Sequence, residues 1–259
     1  MIISHKYKFL FIGLPFSASS AITKELYAAY EGEPFLRKHS LYHEFERVAT
    51  IEEKKYFVFA VLRNPMEIAI TVFEKMKANS KENFTNPELF TENGGHISKK
   101  QREKFNYIQK NNATFQEYFL KYHTKPFDNF AGLTLDNCDY IIRYENIAED
   151  YRTALTKAGI ENPKDLPVEN KTSGKKNEIS EYYTSEIQDR AVFVFGPFLE
   201  KYGYKFPENW DNKNIPFSAF VLFRIGSFIR KWKWKLKKHS KRKSIKGSIY
   251  GDMQRNQEK

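Results

Sequence analysis

Tyr7-Lys8-Phe9-Leu10-Phe11-Ile12-Gly13-Leu14 decides the fold, together with Pro15-Phe16-Ser17-Ala18-Ser19-Ser20 directly after it. The first stretch is a short, nearly continuous apolar run, the pattern of a strand buried on both faces. The second is small and polar, and Ala21-Ile22-Thr23-Lys24-Glu25-Leu26-Tyr27 after it carries helical periodicity. Strand, tight loop and helix form the first unit of a parallel α/β sheet. Such a junction is also a physical anion site, because backbone N–H groups converge there and the helix dipole favours negative charge. Ser17, Ser19 and Ser20 add hydroxyls at the same place, although a serine-rich helix cap has the same look.

A second unit follows. Tyr56–Leu62 (YFVFAVL) reads as a buried strand, Arg63-Asn64-Pro65 as the turn, and Met66–Met76 as a helix. Proline suits the first turn of a helix, where its missing N–H costs nothing. An arginine leaving the carboxyl end of a strand can fork onto a phosphate or sulfate, and Thr71 adds a hydroxyl eight residues on. A surface ion pair is the alternative role for Arg63. A third strand is expected at Tyr140–Tyr144, and a helix from about Ser180 to Tyr202 that stops near Gly203. The polar segment between Lys77 and Gln116 reads as a helical insertion on the acceptor side, and Lys164–Glu178 as a loop. There is no internal repeat.

The Walker spacing G-x-x-x-x-G-K-[ST] is absent, which argues against a nucleotide kinase. The dinucleotide fingerprint is absent too, since Gly13 is the only glycine near the first loop. With one cysteine, Cys138, in the whole chain, neither a disulfide framework nor a cysteine metal site can form within it. The six histidines are scattered, so no metal is expected. The run around Phe9–Ile12 is too short for a secretory core, and no charge-free apolar stretch reaches the ~18 residues of a spanning helix. A cytoplasmic location is therefore expected.

The net charge of +11 is not spread along the chain. Phe217–Lys259 holds 13 Lys or Arg against 2 Asp or Glu, and the other 216 residues hold 30 of each sign. Any acidic partner thus belongs to the C-terminal segment, and the body gives no reason to expect nucleic acid. Phe217, Phe220, Val221, Ile225, Phe228, Ile229, Trp232 and Leu236 recur at three- and four-residue steps. Arg230, Lys231, Lys233, Lys235, Lys237 and Lys238 crowd the rest, with Lys241-Arg242-Lys243 just after. This is a basic amphipathic helix of the kind that lies on an anionic membrane surface, and peripheral attachment at the inner face is expected. Nucleic-acid binding, or a helix packed on the body with a solvated basic face, would use the same residue types. The expected organisation is an α/β domain over residues 1–210 and a basic tail over 211–259.

Several of these segments resemble the carbohydrate-type sulfotransferases that use 3′-phosphoadenosine-5′-phosphosulfate (PAPS), the sulfotransferase family 2 group. Phe11–Ile22 looks like their 5′-phosphosulfate loop, and Val61-Leu62-Arg63-Asn64-Pro65 with Thr71 looks like their 3′-phosphate segment. Ile142–Ile147, Asn170-Lys171-Thr172 through Tyr182-Tyr183, and Tyr202–Phe206 resemble the motifs that follow. The resemblance runs from about Tyr7 to Phe206. It implies a P-loop NTPase-like, three-layer α/β/α fold with a central parallel sheet. It implies Arg63 and Thr71 on the 3′-phosphate, and Ser17, Ala18, Ser19 and Ser20 on the phosphosulfate. It also implies transfer of a sulfuryl group to a hydroxyl of a carbohydrate or glycolipid, with no metal. His39, between the first helix and the second strand, stands where that group carries a histidine base, and His43 is four residues on. The sequence departs from the family where a lysine normally follows the loop proline, because that position is Phe16. Ser19 stands where glycine is usual, and Ile68 where an arginine often sits. Lys24, Lys171, Lys175 or Lys176 could supply the missing charge. Without a substitute, the chain would be a non-catalytic nucleotide-binding member of the fold.

Overall fold

The computed structural model describes residues 1–128, 131–166, 179–211, 213–236 and 249–256. These fall into two compact units. One comprises Met1–Arg63, Asn129–Asn170 and Ser227–Lys259, the other Asn64–Asp128 and Lys171–Gly226.

The first unit is built on a five-stranded sheet in the order β3-β1-β2-β4-β5. Its strands are β1 (Ile2–Ser4), β2 (Phe9–Ile12), β3 (Glu33–Pro34), β4 (Phe57–Leu62) and β5 (Tyr140–Arg143). The three strands expected from the apolar runs are parallel neighbours. Phe9 pairs with Phe57 through to Ile12 with Ala60, and Phe59 with Tyr140 through to Leu62 with Arg143. This register brings the carboxyl ends of β2, β4 and β5 to one edge, so Gly13, Arg63 and Tyr144 all leave the sheet there.

The sheet is not wholly parallel, which corrects the expectation of a parallel sheet. β1 runs antiparallel to β2, with Ile2 opposite Phe11, and β3 runs antiparallel to β1. Three residues of Met1-Ile2-Ile3-Ser4 are too few to show a period, and only pairing with Phe9–Phe11 makes them a strand. Helix α1 (Ser19–Ala29) and helix α6 (Ile147–Lys157) contribute Ile22, Leu26, Tyr151 and Leu155 to a core with Phe9, Phe11, Phe59, Val61 and Ile142. Helix α9 (Ile249–Asn256) closes this core with Tyr250, whose hydroxyl lies 3.0 Å from Phe35 O and 3.1 Å from Leu36 O.

The second unit is helical and rich in aromatics. Helix α3 (Pro65–Lys77) starts where Asn64 Oδ1 accepts from Met66 N at 2.9 Å and proline fills the first position. Helix α4 (Lys99–Asn111) and helix α5 (Phe115–Tyr122) open with capping boxes, Ser98 with Gln101 and Thr114 with Glu117. Helix α7 (Ser185–Tyr202) ends on Gly203 at φ 69°, a left-handed stop. α7 starts later than its periodicity predicts because Tyr182 and Tyr183 are fixed by their hydroxyls. These donate to Glu74 Oε1 at 2.8 Å and to Met66 O at 3.2 Å. Phe73, Phe115, Tyr118, Phe119, Tyr183 and Phe195 fill the core between these helices.

Two further α-helices are α2 (Tyr42–Val48) and α8 (Phe217–Leu236). No described helix is long and apolar enough to cross a membrane.

Candidate active site

Gly13 leaves β2 into a loop that no other residue type would enter as closely. A Cβ at this position would lie 3.0 Å from Ser19 Cβ and 3.4 Å from Lys38 O. Phe16 and Ala18 both sit in the left-handed region, at φ 64° and 53°. Bulky residues avoid that region, at a cost of roughly 1–3 kcal/mol each, so the surrounding structure must hold the loop in place. The hold is visible. Ser17 is buried and its hydroxyl donates to Leu14 O at 2.6 Å. Ala18 O receives the N–H groups of Ala21 and Ile22 at 3.1 and 3.3 Å, starting α1. Alternating hand in successive residues turns backbone N–H groups toward one side, the concavity that binds anions, at the positive end of a helix.

Of the hydroxyls expected to face an anion, Ser17 is thus turned inward as a brace, and Ser19 is buried. Ser20 receives Lys38 Nζ at 2.7 Å. Lys38 is half-buried and lies 18 residues from Ser20, a separation with no period, which is why sequence reasoning passes over it as a loop cation. Lys24 lies in α1 itself, while Lys171, Lys175 and Lys176 fall outside the described residues.

Arg63 reaches the same loop from β4. Its Nη1 donates to Phe16 O at 3.2 Å, and its guanidinium lies 4.4 Å from the centre of the Tyr144 ring at the end of β5. Stacking on an aromatic face fixes the plane of the fork. Tyr144 is a supporting residue that the sequence hinted at only as the neighbour of Arg143. The turn below it is fastened by Asp150, whose carboxylate accepts from Arg143 N at 2.6 Å. Thr71 belongs to the other unit. It is buried on α3, and its Oγ1 has no hydrogen-bond partner among the described residues.

His39 Nδ1 lies 2.6 Å from Gly13 O. A carbonyl can only accept, so Nδ1 carries the proton and Nε2 is the basic nitrogen. His43 instead sits on α2, where Nδ1 lies 3.3 Å from Glu46 Oε2. The two histidines do not share a helix face, because α2 begins at Tyr42. Cys138 is held away from chemistry, since burial pushes its thiol well above the ordinary range. Among the described residues no group of three His, Cys, Asp or Glu is placed to hold a metal ion.

Residues 1–195 match the family model described as the sulfotransferase family. The chain belongs to the sulfotransferase family. That match spans the loop, Arg63, His39 and Tyr144, so the elements converging on the sheet edge lie within the sulfotransferase region. No curated protein and no solved structure matched the chain. Family membership supports sulfuryl transfer in general.

Proposed function

We propose that this sulfotransferase moves a sulfuryl group from PAPS to a hydroxyl of a carbohydrate or glycolipid. One observation carries the reading: Arg63 from β4 and Lys38 from the connector both bond the Pro15–Ser20 loop at the head of α1. Two cations on one anion-binding loop suit a ligand with several negative charges. In this reading Arg63 holds the 3′-phosphate, and the segment of Ser17, Ala18, Ser19 and Ser20 holds the phosphosulfate by its backbone and by the Ser20 hydroxyl.

The acceptor oxygen bonds to sulfur while the bond from sulfur to the bridging oxygen breaks, its electron pair passing to the 5′-phosphate. The acceptor proton goes to His39 Nε2, the nitrogen left basic by the bond to Gly13 O. Lys38 stands in for the absent loop lysine and stabilises the charge that grows on the bridging oxygen. A half-buried lysine against Ser20 favours this over a non-catalytic nucleotide binder, the reading that Phe16 would otherwise support.

Calorimetric titration with adenosine 3′,5′-bisphosphate, against ATP and ADP, tests the donor site. Selective binding by the wild type that is lost in Arg63→Ala is expected. Equal binding of ATP, or no binding, would overturn the donor assignment, and binding without product formation from PAPS would leave the non-catalytic reading.

A further inference from the structure

We infer that α8 is a lipid-docking blade that lies on an anionic membrane leaflet with Phe217, Val221, Ile225, Phe228, Trp232 and Leu236 inserted. At 100° per residue these side chains, with Leu222 and Ile229, occupy one arc of about 140°. All eight are exposed: Phe217 by 82%, Phe228 by 63%, Trp232 by 53% and Leu236 by 77%. The opposite side is the covered one, with Ala219 fully buried and Phe220, Phe223, Ser227, Arg230 and Trp234 half-buried. A helix packed on the body through its apolar arc would cover these eight side chains, which are exposed, so that packing does not hold for the described residues.

The helix is also fastened. Arg47 Nη2 donates to Trp234 O and, at 2.5 Å, to Lys235 O, and Lys231 pairs with Asp136 at 3.4 Å. The apolar arc is therefore presented by a held helix. A contiguous apolar surface of this kind marks an interaction site.

Charge selects the occupant. Arg224, Lys231 and Lys235 border one margin of the arc and Lys233 the other, and the sequence continues with Lys237, Lys238, Lys241, Arg242 and Lys243. The occupant must therefore be apolar at its centre and anionic at its rim, which an acidic lipid leaflet is. Nucleic acid offers charge without an apolar surface to cover Phe228 and Trp232. A second copy would bring its own +11 against the first, since the rest of each chain is neutral. The reading does not depend on which donor or acceptor the enzyme uses.

Flotation of the full chain with vesicles of phosphatidylcholine alone, and of phosphatidylcholine with phosphatidylglycerol, tests the assignment. Binding to the mixed vesicles only is expected, falling more than about tenfold in Phe228→Glu/Trp232→Glu, because a buried charge is strongly unfavourable there. Lys233→Glu/Lys235→Glu should weaken binding while leaving the apolar arc intact. Equal binding to both vesicle types, or none to either by a folded chain, would overturn it. So would self-association in sedimentation equilibrium that the apolar substitutions abolish, or tighter binding to a duplex oligonucleotide than to vesicles.

Discussion

Replacing Lys38 by alanine removes an ammonium held against the loop, 2.7 Å from Ser20 Oγ, and leaves the fold of the loop to Ser17, Gly13 and Arg63. A unit charge about 4 Å from developing negative charge is worth ~4 kcal/mol at an effective dielectric of ~20. Loss of one preorganised donor costs about 10²–10³ in turnover, the same scale. Lys38 is only half-buried, so water screens part of its field and the expected loss lies near the lower figure, about 10²-fold. The assay is initial-rate transfer from PAPS at saturating donor, with adenosine 3′,5′-bisphosphate affinity measured in parallel. The expected pattern is a fall in kcat with nucleotide affinity largely kept, and partial recovery in Lys38→Arg, which restores the charge with a different geometry. Turnover unchanged in Lys38→Ala, with bisphosphate binding intact, would refute the assignment of the loop cation.

His39→Ala should lower kcat by about 10²–10⁴ and remove the acid limb of the pH–rate profile, while His43→Ala leaves that limb in place. Gly32→Ala should destabilise the first unit by roughly 1–3 kcal/mol in urea unfolding. The added Cβ would fall 2.7 Å from Leu26 O and 2.6 Å from Ile2 Cγ2, where α1 returns to the sheet. His123 stacks on Phe119 at 4.7 Å, and burial first, then Lys104, pushes its pKa down to about 3. Its folded value lies below the unfolded one, so the native state binds fewer protons and stability is lost as pH falls from about 6.5 toward 3. Urea midpoints across that range should drop on acidification, and should drop less in His123→Phe.

The elements whose signal is local are legible in the amino-acid sequence. Tyr7–Leu14 and Tyr56–Leu62 read as strands because continuous apolar runs can only be buried on both faces, and they became β2 and β4 in parallel register. Pro65 after Asn64 marked the start of α3, and Gly203 the end of α7, because caps act within a few residues. The order of the motifs also carried the sulfotransferase family. β1 is not legible in the sequence, because a strand of three residues has no pattern of its own and exists only through its partners. The site shows the same division. Sequence could place Arg63 and His39 near strand ends, but only the folded chain sets His39 Nδ1 on Gly13 O and so leaves Nε2 basic. Only tertiary structure turned Ser17 inward and brought Lys38 onto Ser20, across a separation that no periodicity encodes. For α8, the sequence defined an apolar arc with basic margins. Which side of the helix meets the protein was decided by contacts such as those of Arg47 and Asp136, which lie nearly a hundred residues or more away along the chain.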